Sequence, residues 1–243
     1  MQVVGYDTRE EPALLLATAG AVSRQPLSRG TELAYALGER HCAGTIEDGS
    51  HHACERPEAP YCPLHTTPWS VASNRDSEDP HAIYLAAFAP RTFKVGVTRL
   101  WRLDARLEEQ GADRAAHVRT VPDGRVAREI ESEIAAAIDG GERVRVATKI
   151  RGLHRTVEEG RWNDLLDDFD PIATFQFEYD LGLGSRPVVA TIAAGTVIGT
   201  KGRILALDRA GTAYAVDLRD LLGYELLEGT DGRALQASLD AFE

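Results

Sequence analysis

Three cysteines and one histidine lie close together along the chain as Cys42-x11-Cys54-x7-Cys62-x2-His65, in the segment HCAGTIEDGSHHACERPEAPYCPLH. An odd number of thiols argues against a disulfide framework, whereas thiolates with an imidazole form the soft donor set that suits tetrahedral zinc. Cys-x2-His on a turn shaped by Pro63 can aim two donors at one ion. Three thiolates and one imidazole fill four positions and leave none for a reacting water, so the expected zinc is structural. His51 and His52 are substitute donors. The competing reading, free cysteines in an apolar core, fits poorly with the Gly, Glu and Pro residues around them.

The elements that position this set follow from hydrophobic spacing. Residues 1–40 hold short apolar runs, Pro12 to Thr18 and Glu32 to Leu37, separated by Gly, Pro and Ser, as in β-structure. A polar linker from Ser70 to Pro80 follows the cysteines. Ile83 to Ala89 and Phe93 to Val97 read as two strands joined through Pro90, and Leu100, Leu103 and Leu107 recur at helical spacing before Gly111. Ala116 to Val121 is a third strand, and Asp123 can cap a helix from Arg125 to Ile138, closed by Gly140 and Gly141. Glu142 to Phe169 is mixed and helical, with Trp162, Leu165, Leu166 and Phe169 apolar, and Phe175, Phe177 and Tyr179 alternate as in a half-buried strand. Pro187 to Glu228 gives short strands with turns at Gly199 to Gly202 and at Gly211. The expected class is α+β in three parts: residues 1–70, β-rich with the zinc site; 80–180, a mixed domain; and 186–243, a small β-barrel-like unit able to pair with the N-terminal strands.

At 243 residues the chain exceeds the usual single-domain size. It has no 18-residue apolar run and no charged-then-apolar N-terminal order, which predicts a cytoplasmic protein without a membrane segment. The formal charge is -11, and only three of the 27 basic residues are lysines, Lys94, Lys149 and Lys201. Such acidity with few lysines resembles proteins of halophiles that accumulate salt. It does not exclude nucleic acid, because an arginine patch can lie under a negative total. GTVIGTKG lacks P-loop spacing, GLG at 182–184 is too short for a dinucleotide site, and there is no G-x-S-x-G, H-E-x-x-H or H-x-E signature.

The cysteine cluster followed by IYLAAF, FKVGVTR, an arginine before EEQGA, and GTVIGTKGRILALD with GYELL resembles the domain-of-unknown-function 2797 family over most of the chain. The central segment is in turn similar to the GIY-YIG nuclease domain, a small antiparallel sheet flanked by helices. Ala82-Ile83-Tyr84 stands at that domain's first motif and Lys94-Val95-Gly96 at its second, so that Lys94 replaces a tyrosine. The resemblance implies a helix with an essential arginine, here Arg106 or Arg102, and a later helix with a metal-binding glutamate, here Glu129 or Glu131. Its chemistry would use a divalent Mg or Mn ion on the glutamate, a tyrosine that helps activate water, and an arginine that neutralises developing charge. Each residue has a plainer alternative: Tyr84 as a core tyrosine, Arg99, Arg102 and Arg106 as a solvated face, the glutamates as surface carboxylates, Lys94 as an exposed strand residue. The functional expectation is a zinc-containing protein that binds RNA or DNA. The alternatives are an active metal-dependent endonuclease and a zinc-stabilised protein-interaction module.

Overall fold

Short apolar runs punctuated by Gly, Pro and Asp give the chain more strand than helix. The computed structural model describes residues 1–66, 77–138 and 141–229; the linker expected at Ser70 to Pro80 falls outside them as far as Asp76, as does Gly140. Two units result, Met1–Pro68 with Asp180–Glu243, and Trp69–Tyr179.

The first unit begins with β1 (Gln2–Asp7), β2 (Ala13–Thr18), β3 (Ala21–Pro26), β4 (Glu32–Arg40), β5 (Thr45–Glu47) and β6 (Ser50–His52). Asp48 and Gly49, both at positive φ (48° and 78°), make the two-residue turn between β5 and β6.

The second unit holds β7 (His81–Phe88), β8 (Thr92–Arg99), a 3-10 turn (Leu100–Arg102), α1 (Leu103–Gln110), β9 (Arg114–Val121), α2 (Gly124–Ala137), α3 (Val146–Arg151), α4 (Glu159–Leu166) and β10 (Ala173–Gln176). Its sheet is antiparallel in the order β10-β9-β7-β8. Every residue of β7 is buried. Ile83, Leu85 and Ala87 face one cluster with Ala127 and Trp162, while Ala82, Tyr84, Ala86 and Phe88 face another with Leu103 and Leu107. Gly111 ends α1 in the left-handed region, and Asp123 Oδ1 caps α2 by accepting from the backbone N–H groups of Arg125 and Val126, each at 2.9 Å. The alternation through Phe177 and Tyr179 outlasts the ladder, because β9 starts at Arg114, opposite Gln176; beyond it Phe177 keeps one backbone bond, to Asp113 O at 3.0 Å.

The chain then returns to the first unit with β11 (Val188–Val189), β12 (Ala193–Lys201), β13 (Ile204–Arg209), β14 (Thr212–Asp217), α5 (Leu218–Leu221) and β15 (Tyr224–Glu228). The unit's sheet runs β11-β14-β13-β12-β4-β15-β1-β2-β3-β6-β5. A small barrel at the C-terminal end is therefore not what forms: among the described residues no ladder closes, because β12 and β15 pair with β4, and β15 also with β1, instead of curling on one another. Val3, Leu14, Leu33, Leu205, Leu207 and Val216 form its core.

Gly223 secures the end of β4. Its N–H donates to Val3 O at 2.8 Å, its carbonyl accepts from His41 N at 3.1 Å, its φ is +89°, and a Cβ there would lie 2.1 Å from His41 O. Gly223→Ala should therefore lower the unfolding free energy by roughly 2 kcal/mol in denaturant titration, as overpacking with backbone strain does.

Candidate functional site

Cys42 follows β4 directly, and its position is fixed through backbone bonds. Cys42 N donates to Arg56 O at 2.8 Å and Ala43 N to Pro60 O at 2.9 Å, while the Gln2 side chain donates to the carbonyls of Cys42 and Gly223, each at 3.2 Å. His41 Nδ1 lies 2.8 Å from Cys54 O, which ties the second cysteine to the same strand end. Cys62 and His65 share a turn in which His65 N and Thr66 N donate to Cys62 O at 2.9 and 2.8 Å.

These constraints bring the four donors together, with all ligand atoms within 4.8 Å of one another. His65 Nδ1 is 3.3 Å from both Cys42 Sγ and Cys62 Sγ, and the sulfurs of Cys54 and Cys62 are 4.0 Å apart. With metal–sulfur bonds of about 2.3 Å and metal–nitrogen bonds of about 2.0 Å, tetrahedral geometry calls for edges of about 3.8 and 3.5 Å, so the set fits a zinc ion. Cys42 and Cys62 are buried. Burial opposes ionisation of Cys62, but backbone N–H groups of His65 and Leu64 and the thiols of Cys42 and Cys54 bring its thiol down to about 7. Burial raises the Cys42 thiol, so without an ion the pair is unequal. The substitute donors stand elsewhere: His51 Nε2 is 2.9 Å from Ala43 O, and His52 lies 3.7 Å from the Glu47 carboxylate.

In the second unit, Tyr84 is 1% exposed and its hydroxyl accepts from Gln110 Nε2 at 2.6 Å. Gln110 also donates to Arg106 O at 3.0 Å, one helical turn back, and its own carbonyl accepts from Lys149 Nζ at 2.6 Å. Gly96 stands opposite Tyr84, and a Cβ there would lie 2.5 Å from the phenol ring and hydroxyl, so this strand position has to be bare. Lys94 is buried, with its ammonium 5.7 Å from the Tyr84 ring centroid. Arg106 lies 3.7 Å from Glu109, which also takes Arg102 at 3.0 Å.

Helical periodicity separates the two glutamates. Gly124, Ala127 and Glu131 form the buried stripe of α2, and Glu129, two residues off that stripe, is exposed. Glu131 pairs with Arg128. Burial pushes its carboxyl above the usual range, Arg128 pulls it back down, Glu142 adds to the rise and Lys94 opposes it. Among the described residues, the cysteine–histidine quartet is the one set of three or more such donors within ligand distance, so the Mg or Mn ion expected on Glu129 or Glu131 finds no comparable cage. Sequence reasoning missed Gln110 and Lys149. Gln110 lies four residues after Arg106, and Lys149 is one of only three lysines, signals that could have marked both.

A family model described as "Protein of unknown function (DUF2797)" matches residues 56–181, a little over half of the chain. No curated protein and no solved structure matches it.

Two outcomes test this geometry. Stripping metal with a chelator should lower the melting temperature and make all three thiols reactive, and Cys62→Ser should reproduce the loss without chelator, since binding at such sites is coupled to folding. For Glu131, the folded carboxyl holds its proton more tightly than the unfolded one, so its ionisation penalises the fold. That penalty is absent below about 4.5 and grows as pH rises through the raised folded value. Glu131→Gln should therefore melt higher than the parent near pH 8, with the two curves converging near pH 4 in thermal melts.

Proposed function

From its membership of the DUF2797 family, which brings no activity with it, and from its site geometry, we propose that this chain is a nucleic-acid-binding protein. On this reading its second unit is built on a GIY-YIG-like scaffold, and a structural zinc ion on Cys42, Cys54, Cys62 and His65 orders the first. The observation that carries the reading is Trp101, 71% exposed on the turn that leads into the Arg106 helix, with the Arg102 guanidinium 5.9 Å from its ring centroid. An exposed indole flanked by Arg99 and Arg102 supports stacking on bases with phosphate contacts beside it. Both have carboxylate neighbours, Asp79 at 3.3 Å from Arg99 and Glu109 at 3.0 Å from Arg102, with Arg106 also 3.7 Å from Glu109. These pairs are half-buried rather than fully exposed, so a phosphate would have to displace Asp79 and Glu109 to reach the guanidinium groups.

Binding without hydrolysis fits the charges around Glu131. The carboxylate that a nuclease would give to a divalent cation has Arg128 and Lys94 acting on it instead. The second reading, a metal-dependent endonuclease using Tyr84, Arg106 and Glu131, draws support from the placement of a carboxyl in the core of the second unit beside charged neighbours, as functional sites often have. We place the protein in the cytoplasm of a salt-accumulating cell. Lys94 and Lys201 are buried and Lys149 half-buried, so the described surface leaves its positive charge to arginine.

The test is binding and cleavage of labelled single- and double-stranded RNA and DNA over a potassium chloride series, with and without Mg or Mn. Binding should weaken as salt rises, fall by about tenfold in Trp101→Ala, as loss of a stacked base predicts, and occur without cleavage. Failure to retain any nucleic acid at the lowest salt would remove the reading. Metal-dependent cleavage that disappears in Tyr84→Phe and in Arg106→Ala would install the nuclease in its place.

A further inference from the structure

The second unit has a further recess of about 390 Å³, lined by Arg91, Phe93, Arg161, Asp164 and Leu165. That volume is in the range of small-ligand sites. Its floor is held in place: the Phe93 ring packs on buried Trp162 with ring centroids 6.0 Å apart, and Leu165 belongs to the same core cluster. Its rim is charged. Arg91 enters from the turn between β7 and β8, and its Nε is 3.9 Å from Glu158, a carboxylate also used by Arg155 at 3.7 Å. The side chains of Arg161 and Asp164, one turn apart on α4, have no hydrogen bond or ion pair among the described residues.

We infer that this recess binds a nucleoside 5′-phosphate unit. Two guanidinium forks offer parallel N–H donors to phosphate oxygens, which a single ammonium could not do with the same geometry. The half-buried face of Phe93 offers a stacking surface to a planar heterocycle. The Asp164 carboxylate accepts from a ribose hydroxyl or an exocyclic amine. A bare anion would use the arginines and leave the aromatic floor unused. The same unit can come from a free mononucleotide or from the 5′ end of a strand. The inference uses neither Trp101, Tyr84 nor Arg106, so it stands or falls separately from the reading above.

The experiment is equilibrium dialysis of the full-length, zinc-loaded protein against AMP, GMP, CMP, UMP and inorganic phosphate, with 5′-phosphorylated and 5′-hydroxyl tetranucleotides as competitors. At least one mononucleotide should bind at least about tenfold more tightly than phosphate, a difference of one affinity decade. Arg161→Ala and Arg91→Ala should each weaken it by about tenfold without moving the melting temperature, because both side chains are exposed. Should Arg161→Ala unfold, Arg161→Gln replaces it. Phe93→Leu should remove the preference over phosphate. Competition by the phosphorylated tetranucleotide alone assigns the site to strand ends, and competition by neither assigns it to free nucleotides. Absence of mononucleotide binding, phosphate binding as tightly as every mononucleotide, or affinity indifferent to both arginine variants would overturn the proposal.

Discussion

Strand β7 has no side that faces water. All eight of its residues are buried and seven, Ala82 to Phe88, lie between two apolar clusters, so a polar group placed there has to find its partner inside the protein. Tyr84 meets this constraint in full, whereas His81 at the strand's start bonds through Nδ1 to the Asp79 carbonyl at 2.7 Å and leaves Nε2 without a partner among the described residues. The Tyr84 hydroxyl needs a partner, which Gln110 supplies, and its ring needs room, which Gly96 supplies by having no side chain. Gln110 in turn is anchored by the Arg106 carbonyl and engaged by Lys149. The arrangement in this unit is thus a chain of obligations that begins with burial: a phenol placed in the core fixes a glutamine, and the glutamine fixes the turn of helix that carries the arginine.

The two units order their irregular parts by different means. Around Tyr84 the means is apolar area. Around Cys42 there is little of it, since the stretch from Thr45 to Pro57 is mostly half-buried or exposed. Order there comes from backbone bonds, from the Gln2 and His41 side chains reaching across, and from the donor quartet, which holds three thiol or thiolate sulfurs and an imidazole within ion-binding distance. The scarcity of lysine has a similar logic. Lys94 and Lys149 each lie over an aromatic ring, Tyr84 at 5.7 Å and Phe88 at 4.1 Å, places where a compact point charge on a long apolar stem has a packing role.

Local signals were legible in the sequence. Asp123 as a cap, Gly111 as a stop and the apolar run of β7 are encoded within a few residues, and the gathering of Cys42, Cys54, Cys62 and His65 was legible because thiols and imidazoles have few reasons to cluster other than a metal. What depends on distant partners was not. Nothing local to Glu32–Arg40 says that β4 lies between β12 and β15, which is why a separate barrel looked plausible. The choice between Glu129 and Glu131 rests on which stripe of α2 is buried, and small residues such as Gly124 and Ala127 do not announce a core face. The hairpin of β5 and β6 is again local, since Asp48-Gly49 is a two-residue turn signal.

The placement of β4 has a consequence for how the chain is made. Its partners β12 and β15 begin at Ala193 and Tyr224, on the far side of the whole second unit. A ribosome working at roughly 5–20 residues per second exposes β4 on the order of ten seconds before either partner emerges. During that interval β1, β2 and β3 can pair with one another, but β4 presents open backbone on both edges. The cysteine segment that follows it emerges early and contains all four of its own donors, so capture of an ion can occupy the end of the waiting strand while the rest of the sheet is still being synthesised.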